Sequence, residues 1–473
     1  MSERESLSGA DNAWRRMGTP TNLMTITGVM MFDERMTYED LCNRLEERLL
    51  RFERFQQRIG GRKRRFRQPY WETVDGFDVE PHVYHISLPE PQDKATFEAF
   101  VGKLMSRPLD ESRPLWEAYL VDGAGPGEGN AVAFRLNHSI GDGFALLYVL
   151  LGLVDNPGDI ELPSGMVSAP DDIGDDADSG ADGGNGSDES DVASGDGQPA
   201  DTDSKSDGER GSSGLPSPVS AAGTAATGVA TGYDLLFGDD DPDTSLRGEL
   251  GQTKRAAWTD EIPLEQVRTV CEAQPHRATI NDVLLAALAG ALRRLLEDRG
   301  EPVDGMELHG TVPVNLKPMA ERDGSLGNNF GLVFLPLPVG TEPLQERISI
   351  IHEWMDGKRA GIQAFLMYAL LTIGGHVPEY VQKKVMTLFE DRATGVVTNV
   401  PGPTDAIQFA GREITDMIFW VPQANEQGIG ISIFSYDGNV RVGVAADENL
   451  LGAPGELAAA FEAEMEALLE DAE

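Results

Sequence analysis

Cysteine is nearly absent: Cys42 and Cys271 are the only two in 473 residues. Two thiols exclude a disulfide scaffold and a cysteine-based zinc cluster, and they suit a reducing compartment. Lysine is scarce as well. Of 39 basic residues, 9 are lysine and 39 − 9 = 30 are arginine. No run approaches the roughly 18 apolar residues that span a bilayer. The nearest, residues 144–154 and 360–375, read as buried helices, the second also apolar enough to touch a lipid surface. The first residues are charged and lack the apolar stretch of a targeting peptide, which reads as a cytoplasmic chain. Several motifs are missing too. There is no Gly-x-Ser-x-Gly elbow, no Walker loop, no Gly-x-Gly-x-x-Gly after a strand and no His-Glu-x-x-His pair. Hydrolase, nucleotide-binding and zinc-peptidase chemistries lose their usual signatures, and no metal site is expected.

Acid is what the chain has in excess. Asp plus Glu number 79 against 39 Lys plus Arg, for a net charge of −40. That balance argues against nucleic acid, whose phosphates need a basic surface. An acidic, lysine-poor chain reads as adapted to high salt, where repulsion between carboxylates is screened over a Debye length of ~3 Å at 1 M. Residues 171–210 hold 14 acids and 2 bases, a net of −12, so −40 − (−12) = −28 remains on the other residues. The acidity therefore belongs mainly to the folded parts.

Residues 156–250 form an acidic Gly/Ser-rich linker, largely disordered by composition, because such a stretch buries too little apolar surface to offset chain entropy. The linker separates a first lobe, 1–155, from a second, 251–473. In the first, Leu41, Leu45, Leu49 and Phe52 mark a helix over 37–55, 95–105 is another, and 131–137 alternates as a strand before an apolar helix over 144–154. In the second, a helix runs from 281 to 298 with Asn281 as N-cap. Strands follow at 310–314 and 332–339, and helices at 344–357 and 363–373. Asp437-Gly438 closes a hairpin of 429–436 with 439–445, and a last helix spans 456–470. The class is α/β or α+β with mixed sheets.

One segment joins a base to a geometry that exposes it: Asn137-His138-Ser139-Ile140-Gly141-Asp142-Gly143, between a strand and a helix. With an ordinary pKa near 6.5, His138 accepts and returns a proton near neutrality. Asp142 either fixes the turn that aims His138 or simply caps the helix. Gly141 and Gly143 offer unusual backbone angles and open space beside the ring. Alone, the pattern is also compatible with a structural histidine.

Other stretches accompany it in order: Leu7-Ser8-Gly9-Ala10-Asp11, Pro114-Leu115-Trp116, Asn281-Asp282-Val283-Leu284-Leu285-Ala286, Val312-Pro313-Val314-Asn315-Leu316, Gly327-Asn328 and Thr398-Asn399-Val400-Pro401-Gly402-Pro403. Together with His138-x-x-x-Asp142-Gly143 they resemble the wax ester synthase/diacylglycerol acyltransferase family over nearly the whole chain outside the linker. Singly, each has a plain reading: Trp116 as a core anchor, residues 400–403 as a rigid turn.

The resemblance implies two chloramphenicol-acetyltransferase-like lobes, with mixed sheets flanked by helices and an active-site tunnel between them. It implies direct acyl transfer from acyl-CoA, as substrate and without a cofactor, to an alcohol or diacylglycerol. His138 would be general base, with Asp142 and Gly143 beside it, and Asn281 or Asn399 would be oxyanion donors. The family motif starts His-His; Asn137 stands at its first position here. A peripheral contact with a membrane or lipid inclusion is a further implication. The cluster Arg58, Arg62, Lys63, Arg64, Arg65 and Arg67 is read either as a dock for CoA phosphates or anionic lipid, or as a solvated hairpin. Two alternatives stay open: an acyltransferase for another lipid alcohol (carotenoid, polyketide or isoprenoid), and a non-catalytic lipid-binding relative.

Overall fold

The computed structural model describes residues 4–61, 69–157, 240–275, 278–315, 326–328, 330–355, 358–386, 390–423 and 427–472. The acidic stretch from 158 to 239 and the arginines at 62, 64, 65 and 67 lie outside the described residues. The last part of the stretch read as linker does not behave as one. Leu246 is fully buried in the core of the second lobe, and the Asp241 carboxylate accepts hydrogen bonds from His309 and Thr394.

Three sheets organise the described residues. A small one pairs β1 (Arg4–Ser6), β4 (Tyr70–Thr73) and β3 (Gln57–Gly60). A six-stranded sheet has the order β13 (Gln408–Phe409), β14 (Arg412–Trp420), β2 (Thr25–Phe32), β7 (Asn130–Asn137), β6 (Trp116–Asp122), β5 (Val83–Ser87). All its pairings are antiparallel except β5 with β6. The seven-stranded sheet has the order β11 (Phe330–Leu337), β10 (Leu308–Asn315), β12 (Gly395–Pro401), β15 (Ile429–Tyr436), β16 (Asn439–Asp447), β8 (Lys254–Trp258), with β9 (Ile262–Pro263) also on β16. Its centre is parallel, β10 with β12 and β12 with β15. The mixed α/β class expected from the sequence is thus present.

Sheet membership does not follow chain order. β13 and β14 come from the second half of the chain, yet β14 pairs with β2 along its length, Trp420 opposite Thr27 and Ile414 opposite Phe32. The linker divides the sequence; it does not divide the sheets.

Several element boundaries shift for identifiable reasons. The helix expected over 37–55 ends at Arg48 and gives way to the short 3-10 turns Leu49–Arg51 and Glu53–Gln56. That break puts Phe55 in the core, where its ring meets Trp116 edge-on at 6.1 Å and its carbonyl accepts from the indole N–H at 2.8 Å. The helix Ile280–Asp298 is capped by Thr279, not Asn281. The Thr279 hydroxyl accepts from the Asp282 N–H, and the Asp282 carboxylate accepts from the Thr279 N–H in return. Residues 395–401 are a central strand rather than a turn, because parallel pairing with β15 runs on through Pro401, with β10 flanking the strand's first two residues; the turn starts only at Gly402. Asp437 and Gly438 both take positive φ, 45° and 73°, as the hairpin expectation requires.

Two glycine contacts hold the helices around the centre. A Cβ on Gly331 of β11 would lie 1.8 Å from the carbonyl oxygen of Ala364 in the helix Lys358–Gly374. A Cβ on Gly375 would lie 1.7 Å from the carbonyl oxygen of Gly9, the first residue of the helix Gly9–Met17. Main chain touches main chain at both places, so only hydrogen fits. We expect Gly331→Ala to push the 358–374 helix off its strand and to lower unfolding stability by about 1–3 kcal/mol, measured by denaturant titration. An unchanged midpoint would show that the contact is slack.

Candidate active site

His138 follows the last residue of β7. Its N–H donates to the Met24 carbonyl at 2.8 Å, one step beyond the final pair, Asn137 with Thr25. The chain then turns back under Asn137, whose side-chain oxygen accepts from the Ser139 N–H (3.1 Å) and hydroxyl (2.7 Å). This Asx-type turn is made by the very residue that departs from the family motif. Asp142 is the N-cap of the helix Gly143–Leu153, accepting from the Ala145 N–H at 2.8 Å. Neither Gly141 nor Gly143 takes a positive φ, so unusual backbone angles are not their contribution. The open space is real at Gly143, where an added Cβ meets nothing within 4 Å.

The imidazole is held on several sides. Trp14 stacks on it with ring centroids 4.8 Å apart, and Phe330 lies at 5.6 Å. Nδ1 is 2.9 Å from the side-chain oxygen of Asn328. Two neighbours fix the orientation of that carboxamide. Asn328 Nδ2 lies 2.8 Å from Asp11 Oδ1 and 3.1 Å from the His138 carbonyl, both pure acceptors. Its backbone N–H also donates to Asp11 Oδ1, at 3.1 Å. The amide nitrogen therefore faces the acceptors and the oxygen faces the ring. Since that oxygen only accepts, Nδ1 carries the proton, and in the neutral ring Nε2 is the basic nitrogen.

Burial lowers the His138 pKa from its ordinary value, because the apolar surroundings disfavour imidazolium. The Asp142 charge, the bond to Asn328 and the Asp11 charge oppose this. At neutral pH the ring is thus an unprotonated base, with carboxylates near enough to ease the cation that forms when it takes a proton.

His138, Asp142 and Gly143 border a cavity of about 200 Å³. The first sheet contributes Ile26, Val29 and Phe419; the second contributes Thr311, Val396, Thr398 and Val400. The space lies between the lobes, and its lining is overwhelmingly apolar, which suits a hydrocarbon chain. Thr398 is a hydroxyl on that wall. The Thr311 hydroxyl also lines it but accepts from Gln427 Nε2 at 2.8 Å.

The other residues singled out in the sequence lie elsewhere. Trp116 is buried in the core of the first lobe, stacked on His82 at 4.6 Å. Asn281 and Asn399 bond to each other at 2.8 Å, and neither borders the cavity. Alternation along β12 explains this: Val396, Thr398 and Val400 face the cavity, while Val397 packs on the other side with the 280–298 helix. Arg62, Arg64 and Arg65 fall outside the described residues. Sequence reasoning missed three contributors, Asp11, Asn328 and Thr398. Each lay inside a matched stretch, but only the fold brings Asp11 and Asn328 to His138. Among the described residues no group of three or more His, Cys, Asp or Glu is arranged to hold a metal ion.

An apolar cavity between two mixed-sheet lobes, with a buried and oriented imidazole on its border, is the architecture of a two-lobed acyltransferase. Solved structures share the fold. The wax ester synthase/diacylglycerol acyltransferase from Marinobacter aquaeolei VT8 aligns over 99% of both chains, with TM-score 0.64 and 20% identity. The first condensation domain of the calcium-dependent antibiotic synthetase aligns over 99% of this chain and 96% of its own, with TM-score 0.57 and 15% identity. A Mycobacterium tuberculosis protein named for diacylglycerol O-acyltransferase activity is 27% identical over 437 residues, 90% of this chain and 86% of that one. Residues 7–284 match the wax ester synthase/diacylglycerol acyltransferase catalytic domain, and residues 326–469 match the C-terminal domain that accompanies it. The chain belongs to the wax ester synthase/diacylglycerol acyltransferase family, and it is an acyltransferase that forms esters with an alcohol or diacylglycerol.

The depressed His138 pKa sets the pH dependence. If His138 is the base, as proposed below, it acts when neutral, so kcat/KM should fall as pH drops through a value below 6.5, not above it. Replacing Asp142 with Asn removes a charge that favours imidazolium and should move this limb to still lower pH. A limb above 6.5, or an upward shift in Asp142→Asn, would contradict the electrostatics described here.

Proposed function

We propose that His138 is the general base in transfer of a fatty acyl group from acyl-CoA to a lipid alcohol or diacylglycerol. His138 Nε2 takes the hydroxyl proton as the alcohol oxygen bonds to the thioester carbonyl carbon. A tetrahedral oxyanion forms. It collapses with cleavage of the carbon–sulfur bond, and His138 returns the proton to the sulfur, giving ester and free CoA. The observation that carries this reading is the Asp11–Asn328–His138 chain, which leaves a buried histidine with its proton on Nδ1 and its base on Nε2. Support for the donor comes from the starter condensation domain of rhizomide synthetase, a fold neighbour with TM-score 0.56 described in complex with C8-CoA.

The oxyanion needs a donor within about 3 Å, in a cavity with few of them. Thr398 supplies a hydroxyl on the wall opposite the first lobe, which Asn281 and Asn399 do not. In a chain of net charge −40, the basic run that includes Arg62, Arg64 and Arg65 fits the CoA phosphates. The acid on the remaining surface suits catalysis in concentrated salt, where it no longer repels an anionic donor.

The test is CoA release in molar salt with a panel of alcohols, including long-chain alcohols and diacylglycerol. His138→Ala should reduce turnover at least about 10³-fold with folding retained. Thr398→Val should lower kcat by about 10²-fold with little change in KM, and Arg64→Glu with Arg65→Glu should raise the KM for acyl-CoA. Turnover by His138→Ala at the parent rate would end the proposal.

A further inference from the structure

The cavity wall supplied by the second lobe carries two hydroxyls, Thr398 and Thr311. Only the first has a part in the proposed acyl transfer. Thr311 belongs to β10, where its partner on β12 is Val396, and Thr398 stands two residues further along β12, about 7 Å of strand. Val396 packs in one cluster with Trp14 and Met24. Trp14 stacks on the His138 ring, and the Met24 carbonyl accepts from the His138 N–H. This places Thr311 at the His138 end of the wall.

The polarity of the Thr311 hydroxyl is fixed from behind. Gln427 Nε2 lies 2.8 Å from Thr311 Oγ1 and 3.3 Å from the Ala393 carbonyl oxygen. A carbonyl oxygen only accepts, so the amide nitrogen faces that side, and an amide nitrogen only donates. Thr311 Oγ1 is therefore the acceptor of its bond to Gln427. The hydroxyl proton has no acceptor among the described residues, and it belongs to a side chain that borders the cavity. Thr311 is 3% exposed and Gln427 6%, so bulk water does not satisfy it. A buried donor without a partner is costly, and a ligand oxygen removes that cost.

Two carbonyls enter a cavity that joins acyl-CoA to a lipid acceptor. One is the thioester carbonyl of the donor. The other is an ester carbonyl of the acceptor, present in a diacylglycerol and absent from a long-chain alcohol. Thr398 is assigned to the first. Thr311, displaced along the same wall, meets the next oxygen of the glycerol backbone.

We propose that Thr311, its hydroxyl turned into the cavity by Gln427, is a specificity-determining residue that holds the ester carbonyl of a diacylglycerol acceptor and favours it over alcohols without one. The inference rests on the acyltransfer reading.

The test compares dioctanoylglycerol with its diether analogue, dioctylglycerol, which keeps the shape and the free hydroxyl but has no carbonyl. CoA release by the full chain gives kcat and KM for each. The wild type should favour the diester in kcat/KM by about tenfold, the effect of one hydrogen bond to a buried carbonyl, and chiefly through KM. Thr311→Val should remove the preference, and Thr311→Ser, which keeps the hydroxyl, should retain it. Gln427→Glu leaves Thr311 in place but offers its proton an acceptor, so the hydroxyl turns away from the cavity and the preference should again be lost. That variant also serves if Thr311→Val fails to fold. The proposal falls if the wild type treats diester and diether alike, or if the preference survives in Thr311→Val or in Gln427→Glu. It falls equally if Thr311→Val lowers kcat on both acceptors by the same factor, which would assign the hydroxyl to the thioester carbonyl. No CoA release from any acceptor would overturn the acyltransfer reading and this inference with it, whereas release without the preference overturns this inference alone.

Discussion

The carboxamide of Asn328 accepts from the His138 ring and donates to Asp11 and to the His138 carbonyl, while its own backbone N–H donates to Asp11 as well. Asp11, His138 and Asn328 are all buried, so none exchanges these partners for water without cost. The three come from the first helix, the end of β7 and the segment entering β11. One planar group thereby fixes a tautomer and ties both lobes together at the cavity. An amide suits this position better than a carboxylate. It passes the orientation set by Asp11 to the ring without placing a full charge against Nδ1, and burial keeps the imidazole neutral.

Around that centre the molecule separates its two surfaces sharply. The interior wall is hydrocarbon, drawn from both sheets, with a few hydroxyls among the side chains. The exterior is acidic and carries arginine rather than lysine. Many of its arginines are already engaged with carboxylates, as in Arg113 with Asp110, or Arg268 with Glu265. The anionic surface and the apolar tunnel meet different demands, solvation outside and chain burial inside, and neither compromises the other.

Local signals were readable in advance where the cause is local. The hairpin at Asp437-Gly438, the helix capped by Asp142 and the placement of a histidine at the end of β7 each depend on a few adjacent residues. The extent of the helix after Thr37 was not readable, because it breaks to satisfy Phe55 and Trp116, which are distant in sequence. The side of β12 that faces the cavity was also hidden. Strand alternation says that Thr398 and Asn399 point opposite ways, and only tertiary packing says which way is inward. Asp11 and Asn328 were invisible for the same reason: their chemistry exists only once residues 317 positions apart are in contact.

The placement of β14 bears on the order in which the protein comes into being. β2 lies inside the first sheet only because β14 covers one of its sides, and β14 begins at Arg412, 412 − 137 = 275 residues after β7 ends. During synthesis from the N-terminus, the first lobe emerges with β2 as a bare edge, its N–H and C=O groups open to any other strand. The first lobe to be made is therefore the last to be finished. Closing that edge brings together strands far apart in the chain, the slow kind of contact in folding. Until then the nascent chain depends on its charge to keep neighbours apart, and the long acidic tract has been synthesised well before β14 arrives.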